Sequence, residues 1–483
     1  MAHEIELKLE LAPEAADAIE ASGLLVGHTQ AAQQRSIYFD TPDRALSKAG
    51  LSLRIRRSGR KRIQAIKANG ASAAGLFARS EWERPVKSDT PILDDSTPIR
   101  ALLGDIADAI IPVFEVHVER RTWIIGESDS TIELVLDRGE VIAGERRSPI
   151  CEIELELKHG DPAALFALAR KIDAVAPIRL GVLTKAERGF GLIGSVARMV
   201  KAEPVILTAD MTAAQAFRHI VHSCVRQFRL NEALLPTDRD PGALHQARVA
   251  LRRLRSAFSI FRPIVGDAGT NLREELRWLA SELGDARNVD VLLERASPGS
   301  LQVHLTAARE AAYDRVSDAL SSFRVRKLMF DLAEWTAGDS WLCEAGRNAY
   351  GNQPTREFAA AALSRFRRKV KREGRDLADA DDGARHEVRK DAKKLRYAAE
   401  FFATLFERKR ETRRYKRFVT ALEELQDHLG ALNDLSTASD VLEKLGVSDD
   451  PDAPRMLDRG EKKRLREKAT DAYEDLFDTK RFW

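Results

Sequence analysis

The 483-residue chain is short of cysteine, of net charge and of long apolar runs, and each shortage narrows what it can be. Its 3 cysteines, Cys151, Cys224 and Cys343, are odd in number, widely separated and in no metal-ligand spacing. They read as reduced thiols of a cytosolic protein rather than as a disulfide framework or a zinc module. No apolar run approaches the ~20 residues of a membrane-spanning helix, and the first residues are acidic and alternating, without the basic and apolar regions of an export signal. Neither membrane insertion nor export is expected. Formal net charge is only +3 although 32% of residues are charged, so attraction to an acidic partner must come from local clusters. The length exceeds one hydrophobic core and predicts two or three domains.

What is present, from the first residues on, is strict alternation. In His3 to Leu11, Glu4, Glu6, Lys8 and Glu10 take one face of a strand and Ile5, Leu7, Leu9 and Leu11 the other. Cys151 to Lys158 repeats the pattern, with Glu152, Glu154 and Glu156 on one face and Ile153, Leu155 and Leu157 opposite. Between them, Leu51 to Arg56 projects Arg54 and Arg56 together. Ile132 to Asp137 and Val113 to Arg121 alternate as well. Such a sheet either opens its charged face to water or closes around it, and closure concentrates charge of both signs that a ligand or metal must reconcile.

Residues 1 to about 160 read mainly as strands, with Arg35 to Asp40, Arg62 to Lys67 and Ser80 to Lys87 among them. Ala12 to Ser22 and Asp161 to Val175 read as helices opened by Pro13 and Pro162. From about Met211 the spacing is helical, with breaks near Pro236 to Gly242, Pro298-Gly299, Gly346 to Pro354 and Gly446 to Pro454. Gly194 to Pro204 is the expected boundary, giving domains 1–200 and 201–483.

The set Glu4-Ile5-Glu6-Leu7-Lys8, Tyr38-Phe39-Asp40-Thr41-Pro42, Arg54/Arg56, Lys67, Glu152/Glu154/Glu156 and Leu183-Thr184-Lys185-Ala186-Glu187-Arg188-Gly189 resembles the CYTH domain of the triphosphate tunnel metalloenzymes. The resemblance implies an eight-stranded antiparallel barrel with a charged tunnel, acting on triphosphates with a divalent metal. It implies a phosphate-binding set of Lys8, Arg54, Arg56, Lys67, Arg121 and Lys185, and places Tyr38 in the tunnel, where it either orients water or packs. Ala65 departs from the family, which commonly has threonine there, and leaves substrate preference open.

The residue chemistry agrees. Mg2+ takes hard oxygen ligands and keeps several waters, so clustered carboxylates on neighbouring strands suit it, with Mn2+ as the alternative ion. Glu4, Glu6, Glu152 and Glu154 are the first choice of ligands, with Glu156 and Asp137 next. A triphosphate needs cations along its length, and arginine grips two phosphate oxygens at once. The expected reaction is attack of an oriented water on the terminal phosphorus. Its catalytic set is Glu4, Glu6, Lys8 and Tyr38, with no single base assigned, because neighbouring glutamates oppose lowering Lys8 from ~10.4. His3 and His117 show no metal spacing.

The helical half repeats itself. His245, Arg248, Arg252 and Arg255 share the spacing H-x2-R-x3-[R/K]-x2-R with His386, Arg389, Lys393 and Arg396. Each set falls within an arc of roughly 80° on its helix, beside an apolar seam. Each is followed by L-x2-L-x3-L-G, at Leu276, Leu279, Leu283-Gly284 and at Leu422, Leu425, Leu429-Gly430. Two facing copies of a helical bundle are expected. Arg218, Arg226 and Arg229, with Arg365, Lys369 and Arg372, are candidates to line the same groove. The duplicated histidine pattern resembles the CHAD domain, which implies binding of inorganic polyphosphate. At an ordinary value near ~6.5, His245 and His386 would strengthen that binding as pH falls from about 8 to 6.

The fold expected is therefore α+β and multidomain: an N-terminal eight-stranded antiparallel tunnel barrel with covering helices, then an all-α domain of two repeated bundles. The function expected is Mg-dependent hydrolysis of inorganic triphosphate or a relative, in a cytoplasmic protein associated with polyphosphate granules. Adenylyl cyclase or thiamine-triphosphatase activity in the same tunnel, or a non-catalytic polyphosphate-binding protein, are the alternatives. The stripes lack interleaved aromatics, which disfavours single-stranded nucleic acid.

Overall fold

The computed structural model describes residues 4–483 except 26–28, 69–71, 74–75, 80, 95–96, 195–197, 339, 343–346 and 458. His3, Ser80 and Cys343 lie outside the described residues, as does the side chain of Glu4. The chain divides into two compact units, 1–197 with 329–338, and 198–328 with 339–483.

The first unit is built on strands β1 (Glu4–Leu11), β2 (Gln30–Asp40), β3 (Leu51–Ser58), β4 (Lys61–Ala68), β5 (Ser72–Ala73), β6 (Leu76–Arg79), β7 (Glu81–Pro85), β8 (Ile111–Glu127), β9 (Ser130–Ala143), β10 (Arg146–His159) and β11 (Ile178–Leu180). Helices α1 (Pro13–Ala21), α2 (Ala45–Lys48), α3 (Pro98–Leu103), α4 (Ala163–Val175) and α5 (Lys185–Ile193) accompany them. The strands form one 11-stranded antiparallel sheet in the order β5-β6-β1-β10-β9-β8-β2-β3-β4-β7, with β11 also on β1. Among the described residues no ladder joins the two ends, although β6 and β7 are separated only by residue 80.

Alternation decides which face each side chain takes. Leu7, Leu9, Ile153 and Leu155 are fully buried, and α4, with Leu165 and Phe166 also buried, packs against β1, β10 and β8. Each such side chain contributes about 1.5–3 kcal/mol by leaving water. The opposite faces of β1 and β10 carry the charged residues, so burying the apolar rows fixes the register of the acidic and basic ones.

The second unit contains α6 (Ala213–Glu232), α7 (Leu235–Asp238), α8 (Pro241–Ile260), α9 (Arg262–Val265), α10 (Thr270–Arg295), α11 (Ser300–Ser321), the first turns of α12 (Phe323–Ala337), whose residues from 329 on count with the first unit, α13 (Arg347–Asn352), α14 (Thr355–Glu373), α15 (Asp382–Phe401), α16 (Lys409–Lys444) and α17 (Arg459–Asp478). Two of the four expected breaks, those at 236–242 and 346–354, contain a short helix, α7 and α13. The duplication is visible in the packing. α6 lies on α8, α8 on α10 and α10 on α11, as α14 lies on α15, α15 on α16 and α16 on α17; the copies meet through α8 with α15, α6 with α14 and α10 with α16. The leucines at 276, 279, 283, 422, 425 and 429 are all buried. Phe261 of the first copy stacks on Phe358 of the second, centroids 4.6 Å apart. No helix among the described residues is long and apolar enough to cross a membrane.

Candidate active site and basic groove

Cross-strand register assembles the acidic site. Glu10 stands opposite Glu152, Glu152 opposite Asp137, and Asp137 opposite Arg120, making one row across β1, β10, β9 and β8; Lys8 opposite Glu154 begins the next row. Directly opposed residues share a face. Carboxylate oxygens of Asp137, Glu152 and Glu154 consequently lie within 4.8 Å of one another, the one such group among the described residues.

Three cations answer them. Lys8 Nζ donates to Glu152 at 2.9 Å and to Glu154 at 2.7 Å, and lies 3.9 Å from Glu6. Lys185, the first residue of α5, bonds Glu152, Glu154 at 2.9 Å and Asp137 at 2.7 Å. Arg120 forks onto Asp137 at 2.8 and 2.6 Å and reaches Glu154 at 2.9 Å. Burial by itself lowers Lys8, but Glu152 and Glu154 outweigh it and raise its pKa. Against the same burial, Asp137, Glu152 and Glu154 raise Lys185 well above the ordinary lysine range. Burial favours the neutral acid at Glu154, yet Lys185, Lys8 and Arg120 hold it well below the usual carboxylate range. Glu152 and Asp137 are likewise lowered despite burial, by Lys185 together with Lys8 and Arg120 respectively. Lys8 is a fixed cation, not a base.

A cavity opens beside this cluster. Glu6 and Lys8 of β1, Glu154 of β10 and Lys185 of α5 line it together with Tyr38 of β2, Ser52 and Arg54 of β3 and Lys67 of β4. Arg54 approaches the Tyr38 hydroxyl at 3.5 Å. Arg56, two residues along β3, reaches Glu83 at 3.3 Å and does not line the cavity. Glu156 is held by Lys158 at 2.6 Å. The structure does not bring Arg121 to the site: it pairs with Glu20 at 2.6 Å and Glu119 at 2.8 Å, on the face of β8 opposite Arg120. Glu4 opens β1, but its side chain lies outside the described residues.

Sequence reasoning missed Arg120, Ser52 and Thr184. Arg120 has the parity of Phe114, Val116 and Val118, an apolar row that gave no hint of a charged end. Thr184 was readable: with Glu187 it forms a capping box, N to Oε2 2.8 Å and the reverse 3.1 Å, that starts α5 at Lys185. Gly189 seats the same helix. A Cβ there would lie 2.1 Å from the Phe114 ring, which stacks on Tyr38 at 4.6 Å.

Asp137, Glu152 and Glu154 suit a hard divalent cation: the three are oxygen donors on neighbouring strands, and Glu152 Oε2 is buried without a hydrogen-bond partner.

The second unit holds a basic groove. A cavity of about 190 Å3 is lined by Arg252 and Arg255 of α8, Arg273 and Arg277 of α10, and Lys390, Lys393, Lys394 and Tyr397 of α15. Both stripes therefore contribute, through Arg252, Arg255 and Lys393. Arg273 and Arg277, one turn apart on α10, belong to neither stripe. Arg248 packs over Gly284, where a Cβ would sit 2.8 Å from its Nη1; at Gly430 in the other copy nothing lies within 4 Å. Arg389 is largely buried, and burial lowers it. Arg396 faces Glu400 and Glu423, each at 3.6 Å. His386 lines a separate cavity, its Nδ1 2.7 Å from Asn433 Oδ1. Of the further cations, Arg229 pairs with Glu232, Lys369 with Asp391, and Arg365 donates to the Ile260 carbonyl. Burial, Arg252, Arg287, Arg248 and Lys393 push His245 down to about 4, so it stays neutral where a pH response was expected of it. Burial, Arg389 and Arg252 push Lys393 down to about 6.

Residues 2–190 match the CYTH domain family and residues 219–443 the CHAD domain family. An inorganic triphosphatase of Haemophilus influenzae is 32% identical over 206 residues, 40% of this chain; the match spans only 56% of that relative's own length. An uncharacterized protein of Mycobacterium tuberculosis is 27% identical over 409 residues, covering 76% of this chain and 75% of the relative. The crystal structure of the CHAD domain from the plant Ricinus communis is 28% identical, with a TM-score of 0.49, over 58% of this chain and 97% of that one. Residues 2–190 of this chain are thus a CYTH domain, and a CHAD domain follows at residues 219–443.

Proposed function

We propose that this protein is a metal-dependent inorganic triphosphatase whose chemistry takes place in the CYTH domain, and that its CHAD domain holds inorganic polyphosphate. The observation that carries the first part is the trio Asp137, Glu152 and Glu154 set among Lys8, Lys185 and Arg120 beside a cavity lined by Arg54 and Lys67. The triphosphatase relative supports the same reading.

In this reading the ends of the sheet close through β6 and β7 into a tunnel. Asp137, Glu152 and Glu154, with Glu6 at the cavity wall, would hold Mg2+ or Mn2+, which supplies charge neutralisation and an activated water when bound. Lys8, Lys185, Arg54 and Lys67 bind the phosphate oxygens and offset charge on the transferred group. Glu4 and Glu156 stay further candidate ligands, and Arg56 a further candidate contact to phosphate. Tyr38, fixed between Phe114 and Arg54, orients the terminal phosphate or the water. No side chain is assigned as base: Lys8 and Lys185 hold their protons, and the trio, held below the usual carboxylate range and given over to the metal, accepts a proton only weakly.

The second part rests on the groove between α8, α10 and α15, where Arg252, Arg255, Arg273, Arg277 and Lys393 converge on one cavity. The pairing suits a cytosolic protein that sits on polyphosphate granules. One assay tests the catalytic reading: purified protein and Mg2+ with inorganic triphosphate, ATP and thiamine triphosphate, followed by measurement of orthophosphate, pyrophosphate and cyclic AMP. Orthophosphate from triphosphate is expected. Pyrophosphate with cyclic AMP from ATP would mean a cyclase, and no product from any of them would leave a binding protein.

A further inference from the structure

We infer that the CHAD groove binds its polyanion together with a proton, and that the proton goes to Lys393. The inference rests on the groove being the polyphosphate site. Its geometric basis is an imbalance among the lysines that line the cavity. Lys390 is paired with Glu387 at 2.5 Å, and Lys394 with Asp391 at 2.9 Å. Among the described residues no carboxylate lies within ion-pair distance of Lys393, which lines the same cavity. Around it stand Arg389 and Arg396 on its own helix and Arg252 on α8, against the acid Asp434 of α16. Arg255, Arg273 and Arg277 line the same cavity.

Arginine keeps its proton in such company; lysine can release one. A partly buried ammonium crowded by guanidinium groups is therefore the charge that the empty groove sheds, and its lowering to about 6 accords with that. The internal repeat sharpens the point. The equivalent position in the first copy is Arg252, so the groove pairs one permanent cation with one that responds to occupancy. Phosphate oxygens laid between them reverse the local potential and restore the ordinary preference of Lys393 for its proton, so binding draws a proton from solution.

The test is titration calorimetry of the full chain with long-chain polyphosphate near pH 7.5 in EDTA, repeated in buffers of different ionisation enthalpy. Wild-type protein should take up about one proton more per site than Lys393→Arg, a charge the other copy already accommodates, while the variant still binds. Its affinity should also vary less between pH 6 and 8 than that of wild type. Equal proton uptake by both proteins, or binding by wild type without any uptake, overturns the inference and leaves the groove assignment standing. Absence of binding by either protein overturns the assignment itself and the inference with it.

Discussion

Lys8 and Glu154 face each other across the β1–β10 ladder, in register and joined by a 2.7 Å ion pair. With Lys185 and Arg120 also on Glu154, the carboxylates that suit a metal are already neutralised by the protein. A divalent ion must compete with two ammonium groups for the same oxygens until a polyanion draws those groups toward itself. Metal affinity should accordingly depend on substrate. Binding of Mn2+, followed by its paramagnetic signal, should tighten by roughly 10-fold or more when a non-hydrolysable triphosphate analogue is present, a coupling of about 1.4 kcal/mol. Equal affinity with and without the analogue would contradict this arrangement.

Glu154→Gln keeps the shape of the side chain and removes the charge that Lys8, Lys185 and Arg120 share. Turnover of triphosphate should fall by about 100-fold or more, because ion binding and cation placement are lost together. Circular dichroism should be unchanged. Turnover within a few-fold of wild type at saturating Mg2+ would remove the trio from the active site.

Neighbouring arginines on β8 should behave oppositely. Arg120 lies 19% exposed between Asp137 and Glu154, whereas Arg121, 40% exposed, pairs with Glu20 and Glu119 on the other face. Arg120→Ala leaves Asp137, fully buried, without its two-pronged partner, and should cost roughly 3 kcal/mol of stability along with most of the activity. Arg121→Ala removes surface pairs worth about 0–1 kcal/mol and should leave turnover near wild type. Activity loss confined to Arg121→Ala would reverse the assignment of faces.

That pair also shows where sequence reading stops. Where polar residues alternate along a whole strand, as Glu6, Lys8 and Glu10 do, one buried apolar row settles which way they point, and the site was legible. In β8 the polar row Glu115, His117, Glu119 and Arg121 faces away from the cluster, and the inward row is apolar until Arg120. Parity was readable there, but not which parity faced inward, because that depends on β9 and β2 on either side. The helical stripes were legible as spacing, since a shared arc follows from 3.6 residues per turn. Spacing showed Glu400 one turn from Arg396, and Arg248 and Arg252 on the helix of His245, but not that Glu423 closes on Arg396 or that Arg287 and Lys393 close on the half-buried His245, since those come from other helices.

Gly189→Ala tests whether α5 is positioned through Phe114. The new methyl would sit 2.1 Å from that ring, so either Phe114 leaves its stack on Tyr38 or α5 lifts and carries Lys185 from the trio. Both routes disturb the cavity. We expect turnover to fall roughly 10-fold or more with a stability loss of about 1–3 kcal/mol from overpacking. Phe114→Leu in the same protein should recover part of the activity by making room, and failure of that rescue would show that Gly189 acts by some other route.

The basic groove should make the CHAD domain less stable when empty. Arg252, Arg255, Arg273, Arg277 and Lys393 line one cavity, and repulsion among them opposes folding at low salt. Between about 6 and its ordinary ~10.4, Lys393 is neutral in the folded chain and protonated in the unfolded one, so the unfolded state binds more protons and raising the pH stabilises the fold. Calorimetric melting of the full chain should show one transition that rises with pH over this window, rises with salt through screening, and rises further with polyphosphate at low salt. Lys393→Met should raise that transition without ligand by a few degrees, on the order of 1 kcal/mol. Arg252→Glu with Lys393→Glu should abolish the polyphosphate shift, and each change alone should only weaken it, since a chain held by both copies loses both anchors in the double variant. A transition indifferent to salt, or a polyphosphate shift that survives the double reversal, would return the stripes to ordinary solvated helix faces.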